Sequence, residues 1–173
     1  MSNFTFKEGN QKFIFKSSWD KVLQFDKITD YKNISNKVTC TKGVDFLGIF
    51  QGKKICFLEI KDFRKELKKS EKLENVDSLF INVAQKIKDT LAVILVGSRN
   101  STNENEFFKK ILKNFINSNT KIFCILHLET NNKLNLTTYQ SKLKEKLGWL
   151  SCKVLVVNKD TFPPDLDISV EDV

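Results

Sequence analysis

Three features of the sequence predict a mixed α/β domain, with elements in the order α-β-β-β-α-α-β-α-β and a mixed sheet flanked by helices. Two apolar runs, Val44–Phe50 and Lys54–Ile60, flank Gln51-Gly52-Lys53 and read as a hairpin. Residues 75–95 carry apolar side chains at helical spacing. Beyond them, helical and strand-like segments alternate, as expected when helices cover a sheet. A chain of 173 residues that is 40% hydrophobic and holds 15 Phe can bury a real core without disulfide staples.

Each element has its own signal. Residues 17–28 (SSWDKVLQFDKI) open with serines suited to an N-cap, and Trp19, Val22, Leu23 and Phe25 or Asp26 follow near helical spacing. A first helix is expected there. Lys37–Thr41 reads as a short strand, and the hairpin follows it. Asp62–Glu74 is a charged loop. Val76, Leu79, Phe80, Val83, Ala84, Ile87, Leu91 and Ile94 then line one face of the longest helix, with Gly97 expected to stop it. Residues 104–117 form a second helix burying Phe107, Phe108, Ile111, Leu112 and Phe115. Lys121–Leu128 is an apolar strand, Thr137–Leu147 a helix closed by Gly148, and Lys153–Val157 the last strand. Pro163-Pro164 ends regular structure. One domain is expected over residues 1–159, followed by a loose acidic tail over 160–173.

Charge and cysteine usage narrow the function classes. Residues 160–173 hold five acids and no base, so the first 159 residues carry 29 bases against 16 acids, a net +13. Such a field favours nucleic acid or another polyanion. Arg64, Lys65, Lys68 and Lys69, in the charged loop, are candidates to flank a nucleic acid. Cys40, Cys56, Cys124 and Cys152 form no close pair, which suits free thiols in a reducing compartment and argues against a zinc site. No stretch approaches the roughly 20 apolar residues that span a bilayer. The amino terminus lacks the cationic flank and apolar core of an export signal, so a cytoplasmic protein with no membrane partner is expected.

The chemistry concentrates in GVDFLGIFQGKKICFLEIK, residues 43–61. The chain contains three acid-x-lysine tripeptides, at Asp30, Glu59 and Glu66, but only Glu59-Ile60-Lys61 closes an apolar strand whose partner carries an acid. Alternation puts Glu59 and Lys61 on one face of the strand and Ile60 on the other. Asp45 joins them only if the hairpin loop has an odd length or a bulge intervenes, for which Gly48 is the candidate. A three-residue loop pairs Phe50 with Lys54 and sets Asp45 opposite Glu59. Asp45, Glu59 and the Ile60 carbonyl would then offer hard oxygen ligands to Mg²⁺ or Mn²⁺, with Lys61 placed to orient a water or neutralise a phosphate. His127, the lone histidine, reads as structural, and no paired Ser or Cys nucleophile is evident. Trp19 and Trp149 read as packing residues.

Asp45, the fourteen-residue step to Glu59, and Lys61 resemble the PD-(D/E)XK nuclease superfamily, which includes restriction endonucleases and Holliday-junction resolvases. The resemblance implies a restriction endonuclease-like α-β-β-β-α-β core over residues 17–128, with a C-terminal α-β extension. It implies that Asp45 and Glu59 bind metal while Lys61 assists the attacking water. Val44 stands where the family usually has proline. Some members add a helical glutamine with a tyrosine four residues on; here Gln85 is present, Asp89 holds the tyrosine position, and Lys88 lies nearby. An acid of the first helix sometimes completes the site, with Asp20 the first candidate and Asp26 the next. The expected substrate is DNA. The alternative is a catalytically inactive module of the same fold that binds nucleic acid or scaffolds a larger complex. A homodimer fits an enzyme that must cut two strands with one small site.

Overall fold

The computed structural model describes residues 3–64, 76–101, 103–131 and 135–173. Strands β1 (Phe4–Glu8), β2 (Gln11–Phe15) and β3 (Trp19–Gln24) come first, then helix α1 (Thr29–Ser35). Strands β4 (Phe46–Phe50) and β5 (Lys54–Asp62) precede two helices, α2 (Val76–Asn100) and α3 (Asn105–Phe115). Strand β6 (Lys121–Glu129), helix α4 (Leu136–Lys146), and strands β7 (Lys153–Val157) and β8 (Ile168–Asp172) complete the order. The mixed α/β class holds. Five strands form one sheet in the order β3-β4-β5-β6-β7, antiparallel through β5 and parallel beyond it. Helices cover one face of this sheet. The other face is covered by a small antiparallel sheet, β1-β2-β8. Among the described residues no helix is long and apolar enough to cross a membrane.

Two cores result, one on each face of the large sheet. Leu47, Ile49, Ile55 and Phe57 meet Phe80, Val83 and Ile87 of α2 on the helical face. Phe46, Phe50, Cys56 and Leu58 meet Phe13, Phe15, Leu166 and Ile168 on the other. This explains why β4 and β5 read as nearly continuous apolar runs, since both of their faces are buried.

The first expected helix is a strand. Trp19 and Val22 are an odd number of residues apart and would point to opposite faces of a regular strand. A bulge between Trp19 and Lys21 resets the alternation, so both join the small-sheet core while Leu23 faces the helices. A three-residue spacing made by a bulge imitates one made by a helical turn. β3 also takes the place beside β4, which leaves 37–41 no ladder to join. That segment is a turn in which Tyr31 Oη donates to the Thr41 carbonyl, and Cys40 adopts a φ of 66°. The expected leading helix is thus replaced by a strand and a preceding hairpin, whose two-residue loop uses Gly9 at φ 59°.

Two further expectations are corrected. Gly97 does not end α2, which continues to Asn100; a β-carbon there would collide with the Phe108 ring, so the glycine lets α3 pack closely. Nor is 160–173 a loose tail. Its Leu166 is fully buried and its Ile168 is buried, and β8 pairs with β2 over five residues. The Trp19 indole donates to the Leu166 carbonyl at 2.8 Å. Pro164–Leu166 is a 3-10 turn, and beyond Asp167 at φ 51° the run Ile168-Ser169-Val170-Glu171 alternates apolar and polar residues, so the tail carries a strand pattern beneath its charge. Asp172 sits between Lys159 at 2.7 Å and Arg64 at 2.6 Å, which hold its carboxyl down to about 2.

Candidate functional site

The turn between β4 and β5 decides whether a site exists. Gln51 at φ 49° and Gly52 at φ 65° carry a three-residue loop, and Phe50 pairs with Lys54. From there the ladder runs without a bulge to Phe46 opposite Leu58, so one step further Asp45 stands opposite Glu59. Gly48 serves packing instead: a β-carbon there would lie 2.8 Å from the Trp19 indole. Glu59 shares the helical face with Phe57, and Asp45 shares it with Leu47. Both acids therefore point toward α2.

Each acid is tightly held. Asp45 Oδ2 accepts a hydrogen bond from the Ile60 N–H at 2.6 Å, and its main-chain carbonyl accepts one from Phe25 at 2.8 Å. Just before it, the Val44 N–H donates to Thr90 Oγ1 of α2 at 3.1 Å. Glu59 is fully buried. Its Oε1 lies 2.7 Å from Lys86 Nζ and 3.0 Å from Lys61 Nζ, and its Oε2 accepts from Lys86 at 2.9 Å. Lys86 Nζ also lies 3.5 Å from Asp45 Oδ1. Two carboxylates thus share one ammonium.

Burial, reinforced by the neighbouring Asp45 charge, pushes Glu59 up to about 7. Burial likewise raises Asp45, against the pull of Lys86 and the Ile60 hydrogen bond. For Lys86, burial works to lower the pKa, but Glu59 and Asp45 together outweigh it and the net shift is upward. Glu59 releases its proton later in the folded chain than in the unfolded one, so the folded state binds more protons between 4.5 and about 7. Its contribution to stability therefore falls as pH rises through that window and is level above it. His127, pushed down to about 4 mainly by burial, contributes the opposite slope between 4 and 6.5. The Glu59 contribution is isolated by comparing wild type with Glu59→Gln, since the His127 slope is common to both. Denaturant unfolding at a series of pH values should show the stability difference, wild type minus variant, falling by a few kcal/mol from pH 4.5 to 7.5. A difference independent of pH would refute the assigned shift.

The other expected site residues divide sharply. Lys61 is at the site. Asp20 is not: Trp19 lies opposite Phe50, so Asp20 sits at the turn end of β4, where it pairs with Lys110 at 2.9 Å. Asp26, just past the other end of β3, is the acid that lies near Asp45. Its Oδ1 is buried without a hydrogen-bond partner among the described residues, and its carboxyl is raised by burial and then by Asp45. Gln85 faces a separate apolar groove, where its one hydrogen bond among the described residues is a long one, 3.5 Å, to the Cys40 carbonyl. Lys88 is exposed beside Asp89, and Asp89 accepts from the Lys42 N–H at 3.1 Å. Arg64 is committed to Asp62, through Nε at 2.8 Å and Nη2 at 2.7 Å, and to Asp172. Lys65, Lys68 and Lys69 lie outside the described residues. His127 is buried against Gln11 at 2.9 Å and stacked on Phe162, a structural setting.

Lys86 is the residue that sequence reasoning missed. It lies seven residues from Leu79, three from Val83 and four from Thr90, all buried, so it occupies a lysine position inside the apolar row of α2. A basic residue in such a row needs a buried partner, and that signal was available. Asp45, Lys61 and Lys86 open on a cleft of about 670 Å³, also lined by Glu8, Lys42, Asp62 and Asn82, with Glu59 buried behind them. Lys42 Nζ donates to Asn82 Oδ1 at 2.6 Å on its wall.

Among the described residues no group of three His, Cys, Asp or Glu side chains is disposed to hold a metal ion. The two carboxylates nevertheless suit a hard divalent cation. Both are oxygen donors, and both reach one point, the Lys86 ammonium. Comparison with protein-family models, with curated proteins and with solved structures finds no match.

Proposed function

We propose that the chain is a metal-dependent nuclease that hydrolyses phosphodiester bonds of nucleic acid, with DNA as the substrate. The observation that carries this reading is the convergence of Asp45 and Glu59, fourteen residues apart in sequence, on the single ammonium of Lys86, which lines a solvent-reached cleft together with Asp45 and Lys61. Buried paired carboxylates stabilise a fold poorly, and a cation-binding role accounts for them better than packing does. The β3-β4-β5 meander followed by α2, α3 and β6 supports a β-β-β-α-β portion of a restriction endonuclease-like core, with the leading helix exchanged for β1 and β2.

In this reading Asp45, Glu59 and the Ile60 carbonyl hold Mg²⁺ or Mn²⁺. The bound ion supplies a polarised phosphate and a water of lowered pKa. Lys61, one third exposed and 3.0 Å from Glu59, presents its charge to the phosphate or orients the attacking water. Asp26 adds negative charge behind Asp45. Ile60 N–H fixes the Asp45 rotamer, so that Oδ1 alone is turned to the cation. With the acidic segment folded onto Arg64, Lys159 and Lys12, the field met by a nucleic acid is that of the whole chain, +8.

The test is incubation of purified protein with plasmid and oligonucleotide DNA in Mn²⁺ or Mg²⁺. Wild type should nick or cut the DNA, and Asp45→Asn should not while retaining its circular dichroism spectrum. Cleavage by the variant at the wild-type rate would overturn the assignment. One observation favours a second reading: Lys61 and Lys86 already balance the charge of the two carboxylates. A catalytically inactive module that binds nucleic acid or scaffolds a complex would show salt-sensitive DNA binding with no uptake of Mn²⁺ by calorimetry.

A further inference from the structure

We infer that Lys86 is a tethered cation seated in the metal position, and that a divalent ion binds by displacing its ammonium. The inference rests on the metal-binding reading above. Among the described residues Lys61 pairs with Glu59 and not with Asp45, whereas Lys86 Nζ lies 3.5 Å from Asp45 and 2.7 Å from Glu59. It stands where an ion shared by the two carboxylates would stand.

Charge forbids both cations at once. With Lys61 and Lys86 in place the carboxylate pair is neutral. A dication added to that arrangement would leave an excess of two positive charges on these four side chains, which Asp26 behind Asp45 offsets only in part, around a fully buried Glu59 and with the ammonium and the ion in van der Waals contact. Removing Lys86 relieves the contact and halves the excess. The exit is built in, because the Lys86 side chain is one fifth exposed and opens on the cleft. One turn back along α2, Asn82 holds the Lys42 ammonium on the same cleft wall. The displaced Lys86 head would move toward that wall, where Lys42 and Lys86 together would face a phosphate. Lys86 thus acts as a positioning residue, holding the two carboxylates converged on one point until the ion arrives.

The experiment is calorimetric titration of Mn²⁺ into full-length wild type, Lys86→Met and Lys86→Gln, with melting temperature measured with and without Mn²⁺. Lys86→Met should bind Mn²⁺ about tenfold tighter or more. It should melt below wild type without metal and gain more than wild type when Mn²⁺ is added. Equal or weaker Mn²⁺ binding by Lys86→Met, with wild type binding normally, overturns the inference and leaves the metal reading intact. No Mn²⁺ uptake by wild type or by either variant overturns both. If Lys86→Met does not fold unaided, Lys86→Gln, which keeps a donor for Glu59, takes its place. Folding of either variant only in Mn²⁺ supports the inference, and failure of both to fold even in saturating Mn²⁺ overturns it.

Discussion

Glu59→Gln should abolish Mn²⁺-dependent DNA cleavage, by roughly 10³-fold or more, in a protein that still folds. The amide keeps the size of the side chain and can still accept from Lys61 and Lys86, so the buried polar cluster is not left open. What it loses is the negative charge. With that charge gone, Lys86 and Lys61 outnumber Asp45, and a divalent ion entering the site meets net repulsion. Glu59 is fully buried, so bulk water does little to soften that repulsion. The measurement is single-turnover cleavage together with a thermal melt. Activity within tenfold of wild type would show that Glu59 does not face the reacting phosphate.

Truncation after Lys159 should be as damaging to the fold as Glu59→Gln is to activity. Removing residues 160–173 takes away Leu166 and Ile168, each contributing about 1.5–3 kcal/mol of burial. It also strips five ladder residues from β2 and leaves the buried Trp19 indole N–H without its acceptor. Together these losses are on the order of 5 kcal/mol or more, comparable with the whole stability of a domain of this size. The truncated chain is expected to lose its cooperative melt, or to show it only well below the wild-type temperature. A melting temperature within a few degrees of wild type would mean that β8 is an appendage.

These two expectations mark where the sequence was legible and where it was not. Asp45, Glu59 and Lys61 could be read because strand alternation and hairpin parity are local rules, and the turn at Gln51-Gly52-Lys53 obeys them. The helices α2, α3 and α4 carry helical periodicity, and β6 and β7 are short continuous apolar runs, so both kinds of element were legible from local sequence. β3 was not, because its bulge turns a strand pattern into a helical one. β8 was hidden by its acids, which look like solvated sequence until Arg64, Lys159 and Lys12 are brought beside them by the fold. Asp20 ranks above Asp26 only if residues 17–28 form a helix; the strand at 19–24 reverses the order, since a strand separates its two ends much more than a helix does. Lys86 needed only the recognition that a lysine stands in the apolar row of α2, between the buried Val83 and Thr90.

The pairing of β2 with β8 joins residues more than 150 positions apart, with Gln11 beside Asp172. A contact of such sequence separation carries a large loop-closure entropy and forms late. During synthesis the β1–β2 hairpin therefore emerges well before its partner strand and waits while the roughly 150 residues between β2 and β8 are made. Meanwhile Phe13 and Phe15 lack the Leu166 and Ile168 side chains that cover them in the finished structure. The small sheet therefore closes late, and its β1–β2 half needs protection from aggregation while Phe13 and Phe15 remain uncovered.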